Sequence, residues 1–168
     1  MAPLCRSTLA SGRNHDRATW LCCLPLGLVL GLIFGLRAGV IGAGACLVGG
    51  LWLSPDLDTH CLALRRWGPL GFIWWPYRHL IPHRSIWSHG PLIGTTLRLA
   101  VLLGWSLIFS LLVPWLSPTM VVASLERLIT QHPIELLSLV IGIEGSVWLH
   151  LILDGDPWPQ EWSSQRQR

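Results

Sequence analysis

Charge is what this chain has least of. Only 12% of its 168 residues are Asp, Glu, Lys or Arg, and every one of the 12 basic residues is an arginine. These arginines are spread thinly and leave a formal net charge of +3. No stripe is dense enough to track a phosphate backbone, so nucleic acid is not expected as a partner. Paired cysteines are missing too: Cys5, Cys22, Cys23, Cys46 and Cys61 show no metal-type spacing, and three of them lie in apolar runs. Neither a disulfide frame nor a thiolate zinc site is expected. There is no internal repeat. What remains is apolar: hydrophobic residues reach 51% and the mean hydropathy is positive, a composition foreign to soluble domains. The length suits one domain with a real core.

Four segments have the length of a helix that crosses hydrocarbon, about 17 to 25 residues: Thr19 to Leu36, Ala38 to Leu53, Pro91 to Leu116 and Ile134 to Leu153. Arg37 and Gly39 leave the first two almost no connection, which predicts a helical hairpin. Gly27, Gly31 and Gly35 recur every fourth residue, with Gly42 and Gly49 as small positions opposite, so the backbones are expected to approach closely. Ala43-Gly44-Ala45-Cys46 has the look of a lipid-attachment signal. The apolar stretch before it is too long for one, however, and is broken by Arg37. With four spans, both termini and the Ser54 to Gly90 loop share one side with nine arginines, including Arg6, Arg13, Arg17, Arg84, Arg166 and Arg168; only Arg37 and Arg127 lie opposite. The arginine excess makes the first side cytoplasmic. Trp67, Trp74, Trp75, Tyr77 and Trp87 in the loop suit the headgroup zone, and the loop is expected to lie there as short helices. Pro91 after Gly90 reads as a helix start, with Ser88 or His89 near the cap.

Four polar clusters fall on that side: His15-Asp16, Asp56-Leu57-Asp58, His83 to Gly90, and His150 with Asp154. Hydropathy and arginines alone set the topology, so the convergence of the clusters is independent support for a shared site. Imidazole mixed with carboxylate suits zinc, manganese or iron. His150 and Asp154, at i and i+4, share one face of a helix end. Asp56 and Asp58 straddle one residue after Pro55, which in a non-helical turn aims both carboxylates the same way. The bland alternative is a solvated loop start with Asp58 as a helix cap. His83 and His89 converge only if the chain turns between them, as Pro82 and Gly90 allow.

Two ionisable residues lie deeper. Glu144 is six residues before His150, about 9 Å along a helix axis, too far to share its ion unless Gly142 or Gly145 breaks the helix. Arg98 sits at similar depth in the third segment, and an Arg98 to Glu144 ion pair is expected to join the helices.

With these residues laid out, the chain resembles a bacterial family of metal-binding proteins of unknown function and, more distantly, the membrane-bound metal-dependent hydrolases. The resemblance rests on Ser11 to Asp16, Pro55 to Asp58, Arg66-Trp67-Gly68, Pro76-Tyr77, His83-Arg84-Ser85, Ser88 to Pro91, Gly94 to Arg98, and Gly142-Ile143-Glu144 leading to His150 and Asp154. It implies a metal site at His15, Asp56, Asp58, His83, His89, His150 and Asp154, and loosely implies hydrolysis. The family begins near Ser11, so the first ten residues look like an extension.

The sequence therefore predicts an all-α integral membrane bundle of about four transmembrane helices, one domain over 1–168. It comprises a flexible extension 1–12, a cytoplasmic interfacial loop 54–90 with short helices, and a tail 155–168. Expected metal ligands are His15, Asp58, His83, His89, His150 and Asp154, holding one or two divalent ions, zinc first with manganese or iron as alternatives. Asp56 and Asp16 are the expected catalytic carboxylates, and Arg84 the residue that holds a substrate phosphate. The function expected is a metal-dependent hydrolase acting at a bacterial membrane on an ester or phosphoester of an amphiphilic substrate, with the bilayer itself as partner. The alternative is a structural or sensory metal-binding membrane protein. A transporter fits less well, because its site belongs near the midplane of repeated helices.

Overall fold

A computed structural model describes residues 12–83, 85–113 and 115–155, and among them every regular element is helical. The proposed extension up to residue 11, the tail beyond 155 and the phosphate role of Arg84 fall outside the described residues.

Helix α1, Gly12–Phe34, and helix α2, Leu36–Leu51, form the hairpin that the short connection predicts. It turns at Gly35, whose φ of 94° lies in the left-handed region that a side chain disfavours. Below the turn the helices touch backbone to backbone: a Cβ on Gly27 would sit 2.6 Å from the Ala43 Cβ, and one on Gly39 would sit 2.5 Å from the Gly27 carbonyl oxygen. Gly42 and Gly49 serve a second interface as well. Gly42 is wedged between Leu30 of α1 and Ser138, and Gly49 faces Ile143 and Ser146. Those three residues lie on the final helix, α8, Pro133–Asp154. Helix α2 is thus the centre of a three-helix core flanked by α1 and α8.

The segment after α2 is a folded cap. A 3-10 turn at Pro55–Asp58 leads into α3, Leu62–Arg66; a second 3-10 stretch, Gly68–Trp74, runs into α4, Trp75–Leu80, followed by α5, Ile86–His89. The short helices were expected; their packing was not. Trp74 and Tyr77 are buried with Leu53, Leu57, Ala63 and Ile73 in the cap's own core, while Trp75 and Trp87 stay exposed. The aromatic set therefore divides into core and surface, because an indole or phenol ring buries more apolar area than an aliphatic chain. Leu97, Val101, Leu102 and Trp105 of α6, Ile93–Leu112, pack on that core, and the Trp105 indole donates to the Ile73 carbonyl at 2.9 Å. Helix α6 begins two residues later than Pro91 suggested. Leu92 precedes it at φ 61°, a strained conformation for a branched residue, with its N–H held by Glu144 Oε2 at 3.1 Å.

Between α6 and α8 lies α7, Pro118–Gln131, which hydropathy did not single out; it is amphipathic and none of its residues is buried. Four stretches are long and apolar enough to cross a membrane: α1, Leu36–Asp58, α6 and α8. At most 44% of any of these apolar windows is buried inside the fold, so most of the residues in each are not covered by the rest of the chain.

Candidate metal centre

The polar clusters meet where α1 begins, α2 ends and α8 ends. His15, in the first turns of α1, places Nε2 2.9 Å from Asp154 Oδ1. Helical spacing puts His150 on the same face of α8, its Nε2 3.3 Å from the other Asp154 oxygen. The two imidazoles stack with centroids 4.2 Å apart, so one carboxylate at the end of α8 faces both rings.

The Asp56 and Asp58 pair corrects one sequence expectation. Pro55 at the first position and Ser54 as cap, its hydroxyl accepting from the Asp56 N–H, favour a 3-10 turn. Successive residues there rotate by about 120°, so positions i and i+2 point apart rather than the same way. Asp56 Oδ1 lies 3.5 Å from His89 Nε2 and 3.5 Å from His150 Nε2. Asp58 approaches the opposite edge of the His89 ring, 3.8 Å from Nδ1, and lies 3.0 Å from His83 Nδ1. His83 and His89 are brought together by the turn into α5, ring centroids 5.5 Å apart. His89 Nδ1 hydrogen-bonds with Ser88 Oγ at 2.9 Å, which fixes the ring with its Nε2 edge toward Asp56.

Two groups of donors are close enough to hold an ion: His15, His150 and Asp154, and Asp56, His89 and His150. His150 belongs to both. Ligand bonds of 2.0–2.1 Å in a tetrahedral site place donors about 3.3 Å apart, and the contacts between His150 and the two carboxylates, 3.3 and 3.5 Å, lie on that edge length. His89 Nε2 and His150 Nε2 are buried without a hydrogen-bond partner, the condition that a bound cation relieves. The residues present therefore fit a divalent ion with mixed nitrogen and oxygen donors. Asp16, Asp58 and His83 belong to neither group. Asp16 instead pairs with Arg66, whose other nitrogen donates to the Leu51 carbonyl at 2.8 Å.

A cavity of about 30 Å³ opens beside the donors, lined by His15, Asp16, Asp56, Cys61, Arg66 and His150. It has room for a water or two. Burial pushes the Cys61 thiol up from its ordinary value, and Cys61 belongs to neither donor group. Deeper in α8, Glu144 is kept away from the donors by an unbroken helix despite Gly142 and Gly145. The expected Arg98 to Glu144 ion pair does not form. Glu144 accepts from Leu92 N–H, whereas Arg98 donates to the Ser88 carbonyl at 2.9 Å and to Thr95 Oγ1 at 3.1 Å. Arg98 is satisfied by the Ser88 carbonyl and the Thr95 hydroxyl of its own helix, and Glu144 by the Leu92 N–H, so each has a partner without the other. The partnerships of Ser88 and Arg66 were not anticipated; the juxtaposition of Ser88 with His89 was the one local signal for the first, and nothing in the sequence linked Arg66 to Asp16, 50 residues away.

The profile of the family "Uncharacterized metal-binding protein (DUF2227)" matches residues 10–165. The chain belongs to this family. Its description names metal binding and no reaction. An uncharacterized protein of Aquifex aeolicus (strain VF5) is 43% identical over 54 residues, which cover 32% of this chain and 38% of that protein. The match thus spans well under half of either chain. No solved structure matches.

Proposed function

We propose that this family member is a multi-pass membrane protein whose divalent metal centre, zinc first, hydrolyses an ester or phosphoester of an amphiphilic substrate. The observation that carries the metal centre is the pair of buried nitrogens on His89 and His150 that make no hydrogen bond and both face Asp56 Oδ1 at 3.5 Å. In this reading His150 holds the ion together with donors drawn from Asp56, His89, Asp154 and His15. Asp58 and His83 lie behind His89, outside the donor set, while Ser88 Oγ holds the outer nitrogen of that ring. Because both donor groups draw on His150 Nε2, and one lone pair serves one ion, the reading takes a single ion. A bound divalent ion supplies Lewis acidity and a water that is nucleophilic near neutral pH. Asp16 lines the same cavity and is the carboxylate placed to take up a proton, with Arg66 orienting it. The apolar exterior favours the membrane, and the arginine distribution favours a cytoplasmic face for the site.

One observation favours the second reading, a structural or sensory ion: the cavity admits little more than water, and a closed coordination sphere is the mark of structural sites. Both readings meet the same experiment on detergent-purified protein. Metal content near one ion per chain is expected, together with chelator-sensitive release of product from micellar esters or phosphodiesters that added zinc restores. Stoichiometric metal without turnover on either substrate class would assign the structural role. Protein purified without metal, and taking up none, would end both. A carboxyl-terminal tag reached by protease only from outside the cell would overturn the cytoplasmic placement.

A further inference from the structure

Arg98 is a buried charge, 1% exposed, and its position is not explained by the ion pair that the sequence suggested. A guanidinium at this depth is retained only where it is used. Its two hydrogen bonds go to Thr95 Oγ1 on its own helix and to the Ser88 carbonyl, one residue from His89. Gly94, one turn earlier on the same face of α6, presses on that same carbonyl, since a Cβ there would lie 2.5 Å from it. Ser88 is held at its other end as well: its hydroxyl meets His89 Nδ1 at 2.9 Å and lies 3.2 Å from the Pro82 carbonyl. The His89 ring therefore has its orientation set by Ser88, and Ser88 is fixed by Arg98. Burial raises the pKa of the Tyr77 hydroxyl, the Arg98 charge pulls it down, and Asp58 pushes it back up, so Arg98, Tyr77 and Asp58 share one electrostatic environment behind the ring.

We propose that Arg98 is a positioning residue of the metal centre, a permanent buried cation that fixes His89 through the Ser88 carbonyl. The proposal rests on the metal reading above and goes beyond it by assigning a residue that touches no donor atom.

The test uses the full chain in detergent loaded with Co²⁺, read by its visible ligand-field bands and by chelator competition. Arg98→Gln is expected to weaken binding by about 10- to 100-fold, the range for outer-shell partners, and to change the band pattern. Arg98→Lys recovers part of both, since an ammonium reaches the carbonyl without the second nitrogen. Ser88→Ala, which leaves the cation in place, is expected to change the bands in the same direction, and the double variant to be no weaker than the weaker single one. Wild-type affinity and bands in folded Arg98→Gln overturn the proposal. If that variant does not fold, unchanged bands in Ser88→Ala overturn it. Failure of the wild type to bind Co²⁺ counts against the metal centre itself, and wild-type binding with an indifferent Arg98→Gln counts against Arg98 alone.

Discussion

His150→Ala is expected to leave the purified protein without stoichiometric metal, an affinity loss beyond the roughly 10- to 100-fold that follows from removing an outer-shell partner. No other residue belongs to both donor groups. Its Nε2 is the atom that brings Asp56 of the cap and Asp154 of α8 into one constellation, at 3.5 and 3.3 Å. Without the imidazole each group is left with two donors, His15 with Asp154 and Asp56 with His89, fewer than a protein metal site ordinarily supplies. His83→Ala is the informative comparison. His83 lies against Asp58 on the far side of His89, so its loss is expected to weaken metal by no more than about tenfold to a hundredfold. Elemental analysis and chelator competition on both variants check the ranking. Equal losses would mean that His83 is a ligand, as the sequence alone suggested, and that the boundary drawn between donors and their supports is misplaced.

That boundary marks the limit of what could be read without coordinates. The spans were legible because apolar length is a one-dimensional property, and α1, α2, α6 and α8 fall within a few residues of the hydrophobic runs, apart from the polar start of α1. The convergence of His15, Asp56, His89, His150 and Asp154 was legible for a related reason: an even number of long apolar helices between clusters returns the chain to the same end of the fold. The division of labour among them was not. Whether Asp56 or Asp58 faces the donors depends on the rotation per residue in the turn after Pro55, and the 3-10 geometry reverses what an extended turn would give. Arg98 shows the same limit. Its choice of the Ser88 carbonyl over Glu144 depends on how the α5 turn folds back against α6. Helix α7 went unremarked because its apolar residues are interleaved with Glu126, Arg127 and hydroxyls, so no long run announces it.

The other large effect is expected far from any donor. Gly142→Ala should destabilise the protein by about 1–3 kcal/mol, the range for overpacking a tight interior, and should reduce metal occupancy with it. A Cβ at that position would collide with the Gly42 carbonyl oxygen, lie 2.7 Å from the Ala45 Cβ and 3.0 Å from the Cys46 nitrogen. Two of these are backbone atoms of α2 and cannot rotate away, so α8 must move as a body. His150 and Asp154 ride on α8, whereas His15 rides on α1 and Asp56 on the turn that follows α2. A shift of a few tenths of an ångström is therefore delivered to the donor separations. Gly44→Ala supplies the opposite sign: it lies in the interior of the same α2 helix with nothing within 4 Å of its added carbon, and helix propensity there favours alanine by up to about 1 kcal/mol. Thermal unfolding of both variants, with and without metal, separates the two outcomes. If Gly142→Ala melts like the wild type and keeps its ion, the close approach of α2 and α8 is not what holds the centre together, and the cap alone must position the donors.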